Sequence, residues 1–236
     1  MALPINSAPT YRMKLYSTGD LIEYRPFLVK EEKILLLAMQ DQENNSINHA
    51  VKQIIRNCTF DKVDVDNLPM FDIENIFLRL REKSVGEVAE FQYKCQSKDC
   101  EQMNTLNVNL NDIQVQGGTP DGIVRLADDL SVTMTYPSLK TFESINQKDI
   151  NSVNSDMEFV VGSIVAIHYG DQTFNAKEHS KEDLVDFIEN LTREQFGKIR
   201  DFFQTMPMLE HELQYDCTHC GHHNIVTLRG LSSFLA

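Results

Sequence analysis

The chain has 236 residues, of which 42% are hydrophobic and 24% charged, and its formal net charge is −13 at pH 7. This is the composition of a globular protein with enough apolar residues to bury a sizeable core. The negative charge argues against general nucleic-acid binding and against adsorption to anionic membranes, because both need a basic surface. The sequence shows neither an apolar run of bilayer-spanning length nor the pattern of a secretory signal.

The first third of the sequence predicts a β-hairpin followed by three helices. Tyr11–Tyr16 and Leu21–Tyr24 are typical of strands on either side of a turn-rich tetrapeptide. Val29–Met39 carries apolar residues at helical spacing and predicts the first helix. Ser46 and Asp72 each precede apolar residues spaced three and four apart, so we expect them to cap the second and third helices.

Two further residues of this region have a predicted role in the fold. Cys58 lies just beyond the second helix among apolar neighbours, and a lone cysteine in such surroundings is expected to fill the core. Gly86 is expected to end the third helix, because glycine is unfavourable inside helices and common just beyond them.

The middle of the chain predicts a linker, a second hairpin and a buried helix. Gly117–Gly122 contains three glycines and a proline and is the best candidate linker. Ile123–Leu126 and Leu130–Thr135 follow as the strands of a second hairpin. Met157–His168 is apolar on nearly all sides, which predicts a buried helix. We expect His168, at its end, to be a structural histidine with a hydrogen-bond partner.

Two helices with clear start signals come next. Ser180–Asp183 and Thr192–Gln195 each resemble a capping box, in which side chains at both ends satisfy free backbone donors. Pro207 is expected to stop the second of these helices, because proline cannot continue one. A cysteine-bearing segment and the short apolar tail Leu231–Leu235 complete the sequence.

Two cysteine-bearing segments, residues 91–110 and 213–230, look like copies of each other. Each has the pattern of a strand, a turn with two cysteines and a second strand, with an asparagine four positions after the second cysteine. The matching residues are Cys95, Cys100 and Asn104 in the first segment and Cys217, Cys220 and Asn224 in the second.

Together the two cysteine pairs supply the four thiolates that a tetrahedral zinc site needs. A short spacer lets both sulfurs of one turn point to the same side. Cys217–Cys220, with two intervening residues and a following glycine, is the stronger half, whereas Cys95–Cys100 has four intervening residues. Four cysteine ligands leave no open position for water, so the predicted zinc is structural and the two hairpins form one split zinc ribbon.

Alternatives stay open from the residues alone. The thiols could be reduced without a metal, or they could form disulfides and act in redox exchange. A redox Cys-x-x-Cys motif normally opens a helix, whereas a strand pattern follows Cys217–Cys220. His219, His222 and His223 crowd the second turn and could also serve as ligands.

The sequence contains no convincing catalytic set. No serine lies in a Gly-x-Ser-x-Gly motif, and His211-Glu212 is not followed by the second histidine of a zinc protease. We therefore expect a protein without enzymatic activity and without catalytic residues.

Several segments together resemble a known family. The longest is Tyr24–Ala38. The others are Ala2–Pro4, Pro9–Tyr11, Ser17–Gly19, Cys58–Phe60, Val63–Val65, Leu68–Pro69, Leu78–Gly86 and Phe202–Cys220. With these segments the chain resembles the baseplate hub assembly family of T4-like contractile-tailed bacteriophages. The zinc prediction rests on cysteine spacing and not on this resemblance.

The resemblance implies a non-enzymatic structural or assembly protein of the phage tail baseplate hub, whose partners are other hub or tail proteins. Its expected location is the virion tail baseplate and the infected host cytoplasm. The alternatives are a transient assembly chaperone absent from the mature virion and, more remotely, a zinc-ribbon nucleic-acid binder.

The expected fold is α+β, with helices packed against short antiparallel hairpins. We expect one unit over residues 1–236, with possible sub-regions 1–116 and 123–236.

Overall fold

The computed structural model describes residues 8–41, 44–117, 122–146, 153–230 and 233. Over these residues the chain forms seven α-helices and eleven strands in small antiparallel sheets, which confirms the expected α+β class. The helices are α1 Val29–Gln40, α2 Asn44–Cys58, α3 Met70–Val85, α4 Leu139–Asn146, α5 Val153–Ser163, α6 Lys181–Glu189 and α7 Arg193–Gln204. The strands are β1 Tyr11–Lys14, β2 Leu21–Tyr24, β3 Val88–Lys94, β4 Met103–Asn109, β5 Gln114–Gln116, β6 Ile123–Arg125, β7 Leu130–Met134, β8 Ile164–Tyr169, β9 Gln172–Asn175, β10 Met208–Asp216 and β11 His223–Arg229.

The chain divides into two compact units. The first unit contains Met1–Val65, Phe71–Gln116 and Met208–Ala236, and the second contains Asp66–Met70 and Gly117–Pro207. The chain therefore leaves the first unit after β5 and returns to it at β10, so both cysteine-bearing segments belong to the same unit. The candidate linker lies at the first of these crossings, but its residues 118–121 are outside the described part, as is nearly all of the tail after Gly230.

Within its described residues, the first unit contains three antiparallel sheets: β1–β2, β3–β4 and a three-stranded sheet in the order β11-β10-β5. The two cysteine hairpins, β3–β4 and β10–β11, share one apolar core with α3. Its buried members are Leu78, Ala89, Phe91, Val108, Leu110, Ile113, Leu209 and Leu228. Alternate residues of β3 are buried, as expected for strands with one face on a core.

The second unit is a four-stranded antiparallel sheet in the order β6-β7-β8-β9, with apolar side chains from α5, α6 and α7 in its core. At the centre lie Val132 of β7 and Ile199 of α7, both fully buried. In the described part of the chain, no helix combines the length and apolar character needed to cross a membrane.

The prediction of one helix over Met157–His168 is wrong in its second half. Helix α5 ends at Ser163, and the following residues form β8, which pairs with both β7 and β9. A continuous apolar run has no periodicity that separates a buried helix from a central strand, and the β-branched Ile164, Val165 and Ile167 favour the strand. His168 bonds Thr133 Oγ1 at 2.8 Å, which fits its expected structural role.

The helix boundaries confirm some start and stop signals. Ser180 and Thr192 both form the predicted capping boxes: the Ser180 hydroxyl accepts a hydrogen bond from the Asp183 amide, and the Thr192 hydroxyl accepts one from the Gln195 amide. Helix α3 ends at Val85, just before Gly86, whose φ of +138° favours glycine.

The caps expected at Ser46 and Asp72 are wrong. Helix α2 begins at Asn44, so Ser46 lies inside its first turn, and α3 begins at Met70. The fully buried carboxylate of Asp72 instead accepts hydrogen bonds from the backbone amides of Tyr16 (2.7 Å) and Ser17 (3.2 Å). The capping rule expects the Asp72 oxygens to accept hydrogen bonds from backbone amides of the helix itself. In the structure they instead accept hydrogen bonds from the β1–β2 turn, which is distant in sequence.

A second buried carboxylate holds the start of α1. Glu31 is fully buried and accepts hydrogen bonds from the Leu28 backbone amide at 2.9 Å and from the Arg25 guanidinium at 3.0 Å. Burial by itself raises the pKa of Glu31, but the hydrogen bonds from Arg25 and Leu28 outweigh it and lower the pKa below 4.5. The ionised form of Glu31 is therefore the one that stabilises the fold.

We expect Glu31→Gln to lower the free energy of unfolding at pH 7 by about 3 kcal/mol, because Arg25 then lacks its charged partner. The pKa of Glu31 is lower in the folded than in the unfolded protein. The difference in the free energy of unfolding between wild type and variant is therefore complete above about pH 4.5, and it disappears as the pH falls through the folded-state pKa of Glu31. Urea unfolding between pH 3 and pH 7 measures this. Glu23→Gln, in the exposed pair with Arg12, is the control and should change little. An equal effect of the two variants would contradict the prediction.

Candidate metal centre

The turn of the second cysteine hairpin directs two sulfurs to one side. The Cys217 amide donates to the His222 carbonyl at 2.9 Å, and the Gly221 amide donates to the Cys217 carbonyl at 2.9 Å. Gly221 has a φ of +72°, in the left-handed region where glycine carries no steric penalty. The tight turn that the Cys-x-x-Cys-Gly spacing predicts is therefore present.

The first cysteine hairpin closes a wider turn with an equivalent bond. The Cys95 amide donates to the Gln102 carbonyl at 2.9 Å, just as Cys217 bonds His222. Within the turn, the Cys100 amide donates to the Ser97 carbonyl at 3.1 Å. This inner bond folds the four-residue spacer back, so that Cys100 returns to the same side as Cys95.

The structure brings all four predicted ligands together. The Cys95 and Cys220 sulfurs are 3.7 Å apart, the Cys100 and Cys217 sulfurs are 3.8 Å apart, and all four lie within 4.8 Å of one another. A tetrahedral site with metal–sulfur bonds of ~2.3 Å has sulfur–sulfur edges of ~3.8 Å, whereas a disulfide bond measures ~2.05 Å. The four free cysteines are thus arranged compatibly with a tetrahedral metal site.

Two buried asparagines connect the cysteine turns. The Asn104 side-chain oxygen accepts a hydrogen bond from the Thr218 amide at 3.0 Å, and the Asn224 oxygen accepts one from the Gln96 amide at 2.8 Å. Each donor directly follows the first cysteine of the opposite hairpin. The repeat in the sequence contained both asparagines, but spacing alone gave them no role.

The environment of the sulfurs favours an ionised Cys217. Backbone amides of Cys220 and His219, together with the Asn104 side chain, lower the pKa of Cys217 to about 6. The His222 amide lowers the pKa of Cys220, but desolvation and its hydrogen bonds with the other three thiols outweigh this and raise the pKa to about 12. A thiolate at Cys217 beside a protonated Cys220 is the expected charge state of this pair before a cation binds, because two adjacent negative charges repel.

The histidines of the second turn are not part of the cluster. Over the described residues, the four cysteines are the one group of at least three histidine, cysteine or acidic side chains whose ligand atoms converge. His223 instead lies on the surface, with its Nδ1 2.8 Å from an Asp216 carboxylate oxygen. Three of the four cysteines are buried, and Cys220 is exposed at the edge of the cluster.

The fifth cysteine has a separate role. Cys58 is fully buried at the end of α2, as the core-filling prediction requires. Burial raises the pKa of this thiol to about 12, so it is a poor nucleophile and a poor metal ligand.

Comparison with known proteins places the chain in a described family. A family model described as T4 bacteriophage base plate protein matches residues 8–236. No curated protein and no solved structure matches the chain. The matched range includes both cysteine hairpins and every helix and strand described above.

We expect the protein to bind about one Co²⁺ per chain, with the ultraviolet charge-transfer absorption of thiolate ligands. Cys100→Ser and Cys217→Ser each remove one ligand, from different hairpins, and should each abolish most of this absorption. Cys58→Ala is the matched control, because it removes a thiol outside the cluster. Retention of the full absorption by either serine variant would contradict a shared four-cysteine site.

Proposed function

This chain belongs to the T4 bacteriophage base plate protein family, and from that premise we propose that it is a non-enzymatic structural protein of the baseplate hub, clamped by a structural zinc ion. Membership of the family supports a structural role in the tail baseplate, in contact with other baseplate proteins. The hub position, assembly in the host cytoplasm, the zinc ion and the lack of enzymatic activity are our proposal.

The observation that carries the proposal is the convergence of four cysteines from hairpins far apart in sequence. Cys95 and Cys220 are separated by 125 positions, and Cys100 and Cys217 by 117. When bound, zinc would act as a cross-link that restricts the unfolded chain and stabilises the folded one. Thiolates suit zinc, and four of them complete its tetrahedral shell without a position for water or substrate. The donor set therefore supports a structural ion and a scaffold function.

A surface on α1 supports a role in protein–protein contacts. Helix α1 buries Glu31 and Ala38, whereas four apolar side chains on its other faces are exposed. They are Val29 (80% exposed), Leu36 (53%), Leu37 (56%) and Met39 (46%). Residues 34–39 of α1 are all apolar, and a helical segment that is apolar all round is normally covered on all sides. We therefore assign this surface to contact with an apolar surface of a neighbouring baseplate protein.

The net charge of −13 adds long-range selectivity to such a contact. An acidic surface accelerates association with basic patches and repels other acidic partners, while the apolar contact supplies most of the affinity. Shape and charge complementarity on a rigid scaffold are thus the mechanism that the residues support.

Mass spectrometry of purified virions tests the proposed role. A structural hub protein gives peptides at the stoichiometry of other baseplate proteins, and these persist in isolated baseplate hubs. Absence from purified particles, in phage whose assembly requires the gene, would overturn the proposal in favour of a transient assembly chaperone.

We expect the double variant Val29→Glu and Leu36→Glu to fold normally but to lose incorporation into particles, because two charges in an apolar contact remain unpaired. Complementation of phage that lack the gene, scored by infectious titre and by the protein content of particles, measures this. Ile225→Glu is the matched control, because Ile225 is also an exposed apolar residue (47%) of the first unit but lies on β11. Full incorporation of the α1 variant, with an unchanged melting temperature, would contradict the assignment.

A further inference from the structure

The pair Asn104 and Asn224 points to a role that extends the proposed metal site. We infer that these two asparagines are reciprocal positioning residues: each amide holds the cysteine turn of the opposite hairpin and so assembles the four-sulfur cluster. The part that concerns metal affinity rests on the proposed zinc, whereas the part that concerns assembly of the hairpins does not.

The two asparagines occupy equivalent positions in two equivalent hairpins. Asn104 pairs with Tyr93 across β3–β4, and Asn224 pairs with Tyr215 across β10–β11. Each side-chain nitrogen donates to the carbonyl two residues earlier in its own hairpin. These acceptors are Gln102 for Asn104, at 3.3 Å, and His222 for Asn224, at 2.7 Å. Each asparagine therefore reinforces its own turn.

Each side-chain oxygen reaches the opposite hairpin. Asn104 accepts from the Thr218 amide, next to Cys217, and Asn224 accepts from the Gln96 amide, next to Cys95. Each hairpin thus supplies one asparagine acceptor and one backbone amide donor to the other hairpin, in an approximately two-fold arrangement. An amide group is suited to this task because it accepts on one side and donates on the other.

Burial makes these bonds important for the fold. Asn104 is 3% exposed and Asn224 is fully buried. Removal of either buried side chain takes away the hydrogen-bond partner of a backbone amide in the opposite turn. That amide belongs to the residue beside a cysteine, so a change in its position moves the cysteine as well.

The two asparagines differ in their contacts with sulfur. Besides its bond to the Gln102 carbonyl, the Asn104 side-chain nitrogen lies 3.5 Å from the Cys217 sulfur, whereas the contact described for the Asn224 nitrogen is its bond to the His222 carbonyl. A donor beside a thiolate stabilises its negative charge and orients the sulfur, and such outer contacts tune the affinity of metal sites. Asn104 should therefore influence metal binding more strongly than Asn224.

Matched substitutions separate the two parts of the inference. Asn104→Asp and Asn224→Asp each retain an oxygen for the cross-hairpin bond and lose the amide donor, but only the first loses a contact with sulfur. Asn104→Ala and Asn224→Ala each remove the cross-hairpin bond itself. Asn107→Ala, at an exposed position of β4, is the control for substitution within the hairpin.

The first measurement is zinc affinity by chelator competition, with the Co²⁺ charge-transfer spectrum as a second readout. Asn104→Asp should bind zinc about 10-fold or more weakly than Asn224→Asp and should shift the cobalt spectrum, as expected for loss of a contact to a ligand. Equal affinities and spectra for the two variants would overturn the role of Asn104 at the sulfur. Failure of the wild type to bind any metal would overturn the zinc proposal together with this part.

The second measurement is thermal unfolding of the chelator-treated protein, which does not depend on a metal. Both alanine variants should melt well below the wild type, while Asn107→Ala should melt close to it. Melting temperatures of both alanine variants equal to that of the control would overturn the reciprocal positioning role, even if zinc binds as proposed.

Discussion

The first unit depends on a contact between two hairpins that lie more than 100 positions apart in the sequence. Four sulfurs, two reciprocal asparagine bonds and a shared apolar core meet at this contact. Such a long chain loop is costly in entropy to close, so the contact needs several cooperating interactions. The apolar core supplies most of the burial, and the asparagines fix the orientation of the two turns. A metal would then bind to thiolates that are already close together.

This arrangement explains how the chain accommodates a second unit. Everything between β5 and β10 lies outside the first unit, and the chain returns to it at Met208. The return strand β10 pairs with β5 on one side and β11 on the other, so the exit and the re-entry of the chain share one sheet. The cysteine cluster therefore lies in the unit from which the second one is inserted. The proposed zinc would act there as a cross-link, and the partner contacts that we propose lie on surfaces such as that of α1.

Much of the candidate site was predictable because its signals are local. Cysteine spacing, the following glycine and the alternating strands all act within a few residues, and the structure places the four sulfurs together. Asn104 and Asn224 were visible as members of the repeat, yet their role depends on donors in the opposite hairpin. Sequence spacing carries no information on such a contact. For the same reason the sequence predicts a helix cap at Asp72, whereas the Asp72 oxygens accept hydrogen bonds from the β1–β2 turn.

The sequence by itself determined the α+β class, the hairpins, the capping boxes at Ser180 and Thr192 and the halves of the cysteine site, because short-range backbone preferences set these features. Only the tertiary structure decided that Ile164–Tyr169 is a strand, since its place between β7 and β9 outweighs an ambiguous apolar pattern. It also decided the bond partners of the buried polar groups. A buried polar side chain must be satisfied by whichever group the fold brings within reach, and that group is often distant in sequence.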